Sequence, residues 1–240
     1  MSGRHIVFIA GEPEYKSEVT MPALAKEVES HVPGVRTTVL TSFPDPKTPD
    51  NIPGLDALAS ADLAVFFVRF LTLPAEQVAP IEAYLKAGGP VVGFRTSTHA
   101  FRYPDGHPLA HWNDFGRNVL GAPWIYHYGG GSSTVVTLRP EAANHPILAG
   151  VDERFQVRSW LYQVRPDYPP ASAQVLADGF PSGKSRLDQA QWQSNPVAWT
   201  WTHWGGGRVF ITTMGHPEDF EVPAFRRMVL NGIAWALRSL

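Results

Sequence analysis

Short apolar runs alternate with helix-like segments through the first hundred residues. Four runs rich in β-branched and aromatic residues predict strands: His5–Ala10, Val35–Thr41, Leu63–Val68 and Pro90–Phe94. Three segments between them predict helices, the middle one brief: Ser17–Val32, Leu55–Ser60 and Pro74–Lys86. We place the start of the first helix near Pro22, because proline is tolerated in a first turn. This β-α-β-α order predicts an α/β fold with a parallel, doubly wound sheet.

The regular alternation weakens after residue 120. Five further runs look like strands without long helices between them: Val135–Leu138, Phe155–Val157, Val175–Ala177, Val197–Trp201 and Val209–Thr213. A final helix is predicted over Val222–Leu237. No repeat or low-complexity tract appears, so we interpret residues 1–240 as one domain with an insertion-rich second half.

Composition and charge narrow the class of protein. Apolar residues make up 44% of the 240 residues, and the formal net charge of −2 gives no reason to expect nucleic acid or a membrane as partner. The chain has no cysteine, which excludes disulfides, thiolate metal sites and a cysteine nucleophile. No apolar run approaches the ~18 residues of a membrane span. The apolar core at Ile6–Ala10 is too short for a signal peptide. We therefore expect a soluble, cytoplasmic protein.

Polar side chains follow the predicted parallel strands at their carboxyl ends. In open α/β sheets, ligands bind beyond this edge. Two arginines, two histidines and several carboxylates should therefore converge on one ligand site. The residues concerned are Glu12 after the first strand, Arg69 after the third, Arg95, Thr96 and His99 after the fourth, and His216, Glu218 and Asp219 after the last.

Each of these side chains also has a purely structural interpretation. Glu12 is equally compatible with a solvated turn, and Arg69 with an ion pair to Glu12 or Asp219. The hydroxyls from Thr96 to Thr98 suit the capping of a following helix. The free amides of that helix would also form an anion or oxyanion site.

The histidines differ in how strongly they point to function. His99 is as compatible with a satisfied buried histidine as with a catalytic one. His216 is better placed, because Glu218 and Asp219 lie near enough in sequence to set its tautomer. The chain has no HExxH motif and no glycine-rich phosphate-binding motif, and we predict neither a metal nor a cofactor.

At these residues the sequence resembles a known family. The segments that carry the resemblance are GEPEYKSEVTMPALA, VRFLTLPAEQVAPIEAYLKAGGPVVGFRTSTHAF, HPILAGV and PVAWTWTHWGGGRVFITTMGHPEDFEVPAFRRMVLNGIAWAL. The chain resembles the trehalose-utilisation (ThuA-like) family, a branch of the class I glutamine-amidotransferase-like superfamily. The resemblance implies a flavodoxin-like, mostly parallel sheet with helices on both faces.

The resemblance also bears on the fourth strand. Glutamine amidotransferases place a cysteine in a Gly-x-Cys-x-Gly elbow and pair it with a distant His-Pro-Glu. Here Arg95 stands where the cysteine would fall, and His216-Pro217-Glu218 looks like the retained partner. Without the thiolate, glutamine hydrolysis through an acyl-enzyme is excluded. The family association implies a link to sugar catabolism, including oxidised (keto) disaccharides.

Three hypotheses follow. In the first, the protein is an enzyme that acts on a sugar or keto-sugar. Arg95 and Arg69 would bind the ligand, and His216 or His99 would transfer a proton. Glu218 or Asp219 would orient His216. The second is a non-catalytic sugar-binding or regulatory module. The third is a scaffold whose polar residues form a buried salt-bridge network. In the first two, Trp112, Tyr162 and Trp199 are candidates to stack on a sugar ring; the aromatic content is compatible with a homodimer.

Overall fold

The computed structural model describes residues 3–238, so residues 1, 2, 239 and 240 of the predicted 1–240 domain lie outside the described part. Within residues 3–238, nine strands form one mixed sheet and two short strands form a second. The strands are β1 (Arg4–Gly11), β2 (Val35–Thr41), β3 (Leu63–Val68), β4 (Val91–Phe94), β5 (Tyr126–His127), β6 (Ser132–Leu138), β7 (Arg154–Val157), β8 (Tyr162–Gln163), β9 (Gln174–Gly183), β10 (Asn195–Thr202) and β11 (Arg208–Thr212).

The large sheet has a parallel core and an antiparallel extension. Its order is β2-β1-β3-β4-β11-β10-β9-β6-β7. The first five strands in this order pair in parallel, and β10, β9, β6 and β7 pair antiparallel. The parallel part matches the 2-1-3-4-5 order of flavodoxin-like sheets, with β11 as the fifth strand. The predicted fold is therefore confirmed, and the insertion-rich second half supplies the extension.

Within the described residues, three α-helices cover both faces of this sheet. They are α1 (Ser17–His31), α2 (Ala75–Lys86) and α3 (Pro223–Ala236). One apolar cluster packs α1 and α3 against residues such as Phe8 and Phe210, and the other packs α2 against residues such as Val7 and Ile211. Alternate residues of the parallel strands point to opposite faces, so strands that are apolar throughout, such as β3, bury both sides.

The structure corrects two local predictions. The first helix begins at Ser17 rather than near Pro22, because the carboxylate of Glu12 accepts from the free Ser17 amide and the Lys16 carbonyl opens the first turn. The predicted helix after β4 is a short 3₁₀ turn, Arg95–His99, whose hydroxyls do not cap it. Ser97 Oγ instead donates to the carbonyl of Phe66.

None of the helices within residues 3–238 is both long and apolar enough to cross a bilayer.

Candidate functional site

The loops after β1, β3, β4 and β11 meet at the carboxyl edge of the parallel strands. The amide of Arg69 donates to the carbonyl of Gly11 at 2.9 Å, and the amide of Phe70 donates to the carbonyl of His99 at 3.1 Å. Arg95 Nη1 donates to the carbonyl of Thr213 at 2.9 Å. Side chains from all four loops are thereby brought together.

Arg95 lies in the middle of this junction and is completely buried. Its backbone has a φ of 37°, a left-handed conformation at the sharp turn that ends β4. The guanidinium lies between two phenol rings, with Cζ 4.6 Å from the centroid of Tyr15 and 4.6 Å from that of Tyr162. Its remaining contacts are hydrogen bonds to the Thr213 and Trp160 carbonyls and to Tyr15 Oη. Arg95 therefore clamps two tyrosines from opposite sides of the junction.

Arg95 remains charged without a direct carboxylate partner among residues 3–238. Burial acts to lower its pKa, but Tyr162, Tyr15 and the nearby Asp219 outweigh burial and raise the pKa above its ordinary value. Its Nε is buried and has no hydrogen-bond partner. The predicted salt-bridge scaffold is thus replaced by a cation held between aromatic rings and carbonyl dipoles.

Glu12 organises the loop that follows β1. The side chain is buried, and its oxygens accept from the amides of Glu14, Tyr15 and Ser17 at 2.8–3.1 Å. Burial raises the pKa of Glu12 to about 7, since desolvation outweighs the amide donors that favour the carboxylate. Glu12 fixes where Tyr15 stands against Arg95.

Asp219 organises the loop that follows β11. Its wholly buried carboxylate accepts from the amides of Arg158, Ser159, Gly215 and His216 at 2.7–3.1 Å and from the hydroxyl of Ser159 at 2.5 Å. These donors occupy both oxygens. Asp219 thereby ties the 158–159 segment to the loop that carries His216.

His216 lies at the edge of the site, beyond Tyr15. Its Nδ1 accepts from the amide of Glu218 at 3.2 Å, which places the ring proton on Nε2. The Glu218 carboxylate is 3.8 Å from the same Nδ1, and its side chain is 69% exposed. The ring meets Tyr15 edge-on, with centroids 5.9 Å apart. Burial lowers the pKa of His216, and Asp219 and Glu218 partly offset that effect.

Arg95 and the two rings on either side of it, Tyr15 and Tyr162, are called the tyrosine clamp here. A small cavity of about 60 Å³ opens beside this clamp. The unpaired Nδ1 of His127 and Nε of Arg69 are both buried among its lining side chains. Arg69 Nη1 forms an ion pair with Glu14 at 3.1 Å, whereas the sequence suggested Glu12 or Asp219 as its partner. The walls are Glu14, Tyr15, Arg69, Phe70, His99, Trp124, His127 and Tyr162.

Both imidazoles of the cavity favour the neutral form. Burial, followed by the charges of Arg69 and Arg95, lowers the pKa of His99 to about 3. Burial, followed by the charges of Arg95 and Arg186, also lowers the pKa of His127. Burial also raises the pKa of Tyr162. The cavity thus combines one cation, one carboxylate and two uncharged imidazoles inside aromatic walls.

The structure divides the site residues predicted from sequence into two groups. Arg69, His99 and Tyr162 line the cavity. The other six lie behind or beside it: Glu12, Arg95, Thr96, His216, Glu218 and Asp219. Thr96 is buried, and its hydroxyl has no partner within residues 3–238. Of the proposed stacking rings, Trp199 is fully buried in the core and donates to the carbonyl of Leu120.

Sequence reasoning missed several cavity residues, above all Trp124 and His127. Trp124 lies in an irregular segment after the helical turn Gly116–Leu120, and His127 lies in the two-residue strand β5, which leaves no periodic pattern in the sequence. The pairing of β5 with β8 brings His127 opposite Tyr162 and so into the cavity. The one available signal was the aromatic and histidine density of residues 124–128.

No three His, Asp or Glu side chains within residues 3–238 are grouped closely enough to hold a metal ion.

Known proteins share the family and the fold of this chain. A family model described as "ThuA: Trehalose utilisation" matches residues 11–236. The chain belongs to this family. A search of curated proteins found no match.

Solved structures share the fold at low sequence identity. A putative ThuA-like protein of Bacteroides uniformis is 17% identical with a TM-score of 0.69, covering 98% of this chain and 91% of that one. One from Parabacteroides merdae is also 17% identical with a TM-score of 0.66, covering 99% and 91%. Agd3, a carbohydrate deacetylase, is 13% identical with a TM-score of 0.53, covering 98% of this chain and 32% of that one. At these identities the likeness shows a common fold.

Proposed function

We propose that this protein binds a sugar or keto-sugar, with one polar end of the ligand inside the cavity beside the tyrosine clamp. The observation that carries the proposal is the pair of buried, unpartnered nitrogens there, Arg69 Nε and His127 Nδ1. Buried polar atoms normally have partners, and each unsatisfied one costs about 1–3 kcal/mol. A carbonyl or hydroxyl oxygen of the ligand would accept from Arg69 Nε, and a ligand hydroxyl would donate to His127 Nδ1.

The size of the cavity determines how such a ligand would lie. Ligand pockets measure about 300–1,000 Å³, and a cavity of about 60 Å³ is therefore small enough to enclose only one end of a sugar. The rest of the ligand would rest on the exposed rings beside the opening. Trp124 is 37% exposed and Tyr126 is 39% exposed. Rings of this kind offer an apolar face to sugar C–H groups and a polar edge to hydroxyls.

The chemistry of the walls suits a carbonyl-bearing sugar. Arg69 is the cation that would orient a carbonyl or hydroxyl oxygen. His127 is the better proton acceptor of the two cavity imidazoles, because the pKa of His99 is held near 3 and a base acts best with a pKa near the working pH. We assign His99 to hydrogen bonding and His127 to proton transfer. The prediction from the sequence that His216 acts as acid or base remains the alternative to proton transfer by His127.

The family description and one structural neighbour support the carbohydrate class. The family model is described by trehalose utilisation, and Agd3 is a carbohydrate deacetylase. Because one fold hosts many functions, this support concerns the ligand class and not the reaction.

A screen of oxidised and unoxidised disaccharides tests the proposal. Binding would be followed by calorimetry and product by mass spectrometry for the wild type and for W124A, H127N and H216N. We expect W124A to weaken binding and H127N to bind sugar without converting it, with H216N like wild type. A matched control is Phe180→Ala, because Phe180 is a similarly exposed ring far along the sheet at β9.

Different outcomes remove different parts of the proposal. If no carbohydrate binds, the ligand class is wrong. If H216N abolishes turnover and H127N does not, the sequence-based assignment of His216 replaces ours. Binding with no turnover by any variant favours the alternative, a non-catalytic sugar-binding module. That alternative draws on Arg95, which occupies the elbow and whose Nη1 and Nη2 atoms bond to protein groups.

A further inference from the structure

A second, larger depression lies on the face of the sheet that α2 covers. Its volume is about 600 Å³, within the range of ligand pockets and ten times that of the cavity at the carboxyl edge. Trp201 and Thr202 line it, and they pair with Val209 and Arg208 at the start of β11. Because β11 is parallel to β4, this end of the depression lies at the amino ends of the parallel strands. We call this depression the tryptophan groove.

The groove is named for its aromatic surface. Trp112, Phe115, Trp201 and Trp204 all line it. Trp204 is 53% exposed, the most exposed tryptophan within residues 3–238. A single exposed ring is common on protein surfaces, but Trp204 borders a groove that three further aromatic rings also line, and a contiguous apolar surface of this kind often marks a binding site.

The turn that carries Trp204 is rigidly anchored. His203 Nδ1 accepts from the amide of Gly205 at 3.0 Å, so Nε2 carries the proton and donates to the carbonyl of Gly89 at 2.9 Å. Gly207 packs so closely that a Cβ there would lie 2.5 Å from the same carbonyl. The turn therefore holds the Trp204 backbone against the end of α2 while the ring faces solvent.

The opposite wall of the groove is equally fixed. Arg117, Asn118 and Val119 belong to Gly116–Leu120, a turn of π-helix, a rare conformation frequent at functional sites. The indole of Trp201 donates to the carbonyl of Val119 at 2.8 Å. The ring that forms the floor is thus hydrogen-bonded to the wall, and the groove is preformed.

The polar groups around these rings carry both signs of charge. Glu82 is paired with Lys86 at 2.6 Å, and Arg117 lies 3.8 Å from Asp114. Each charge is already balanced by a neighbour, while Asn118 and Thr202 offer neutral donors and acceptors. We propose that the tryptophan groove is a second binding site, whose ligand is an uncharged pyranose unit stacked on Trp204. This site is independent of the proposed function at the carboxyl edge.

Fluorine NMR on protein labelled with 5-fluorotryptophan tests this proposal. The chain has eight tryptophans, and W204F and W124F assign the two resonances that matter. Trehalose is the uncharged probe and glucose 6-phosphate the anionic one. We expect trehalose to shift the Trp204 resonance in the wild type and equally in W124A. W204A should weaken this binding about tenfold, the loss expected for one stacked ring, and glucose 6-phosphate should bind less well than trehalose.

Several results would overturn the second site. The first is an unchanged Trp204 resonance at ~100 mM trehalose, a concentration that detects binding as weak as a millimolar Kd. The second is a Trp204 shift that disappears in W124A. Sedimentation of W204A provides a further check, because conversion of a dimer to a monomer would make the groove an interface between copies. Retained melting temperature in W204A excludes unfolding as the cause. A Trp204 shift without any Trp124 shift would support the groove and would show that the carboxyl-edge site does not take trehalose, and the same measurement with an oxidised disaccharide would then decide the function proposed there.

Discussion

The partly buried imidazole of His99 should make the protein sensitive to acid. Burial and the nearby arginines lower its pKa from 6.5 to about 3 in the folded protein. A group whose folded pKa is depressed takes up its proton more readily in the unfolded chain. The stabilisation it gives is therefore complete above pH 6.5 and is lost as the pH falls toward 3.

The size of this loss follows from the two pKa values. Between pH 6.5 and 3, each unit of pH lowers the free energy of unfolding by about 1.4 kcal/mol. At about pH 5 the loss attributable to His99 is therefore about 2 kcal/mol. The ring lies among Phe70, Trp124 and Tyr162, with centroids 5.0–6.3 Å away, and stays partly open to solvent where it lines the cavity. The loss of about 2 kcal/mol is therefore the upper end of what we expect.

Urea unfolding of wild type and H99N at about pH 8 and about pH 5 measures this contribution. The other histidines are the same in both proteins, so the difference between the two pH-dependent losses isolates His99. We expect the wild type to lose about 2 kcal/mol more than H99N. The surface variant H31N serves as control and should follow the wild type. Equal losses in wild type and H99N, within about 0.5 kcal/mol, would refute the reasoning.

Three further changes test the groups behind the cavity. Arg95→Met leaves two carbonyls and a phenol unpaired and should cost about 3 kcal/mol in urea unfolding; a cost below about 1 kcal/mol would contradict the clamp. Because its pKa is raised, Glu12 lowers the free energy of unfolding as the pH rises from 4.5 to about 7. E12Q should therefore gain stability relative to wild type between pH 5 and pH 8. If the difference in free energy of unfolding between the two proteins stays constant over this range, Glu12 does not have the raised pKa. Asp219→Asn should speed hydrogen exchange at the Gly215 and His216 amides; unchanged protection would show that the carboxylate does not hold this loop.

The fold was largely predictable because its signals are local. Continuous apolar runs such as Leu63–Val68 mark buried strands regardless of what packs on them, and the structure has this strand at the same residues. The start of α1 was misplaced because the rule for Pro22 is statistical. The capping of that helix depends on Glu12, which reaches its amides only once the loop has folded.

The site was less predictable because its contacts are distant in sequence. The strand ends showed which loops meet, but not which side chain faces the opening. Arg95 suggested a ligand clamp, yet its guanidinium reaches Trp160 and Thr213 and grips protein groups instead. His127 enters the cavity through the pairing of β5 with β8, and these two-residue strands are too short to leave a periodic pattern.

The position of β11 has a consequence for synthesis of the chain. β4 ends at Phe94, and its second neighbour in the sheet begins only at Arg208. At about 5–20 residues per second on the ribosome, the outer edge of β4 waits on the order of ten seconds for its partner. A strand edge with free amides and carbonyls can pair with other chains during that time. Nascent chains released before Arg208 should therefore aggregate, and chaperone capture should peak while β5–β10 are emerging.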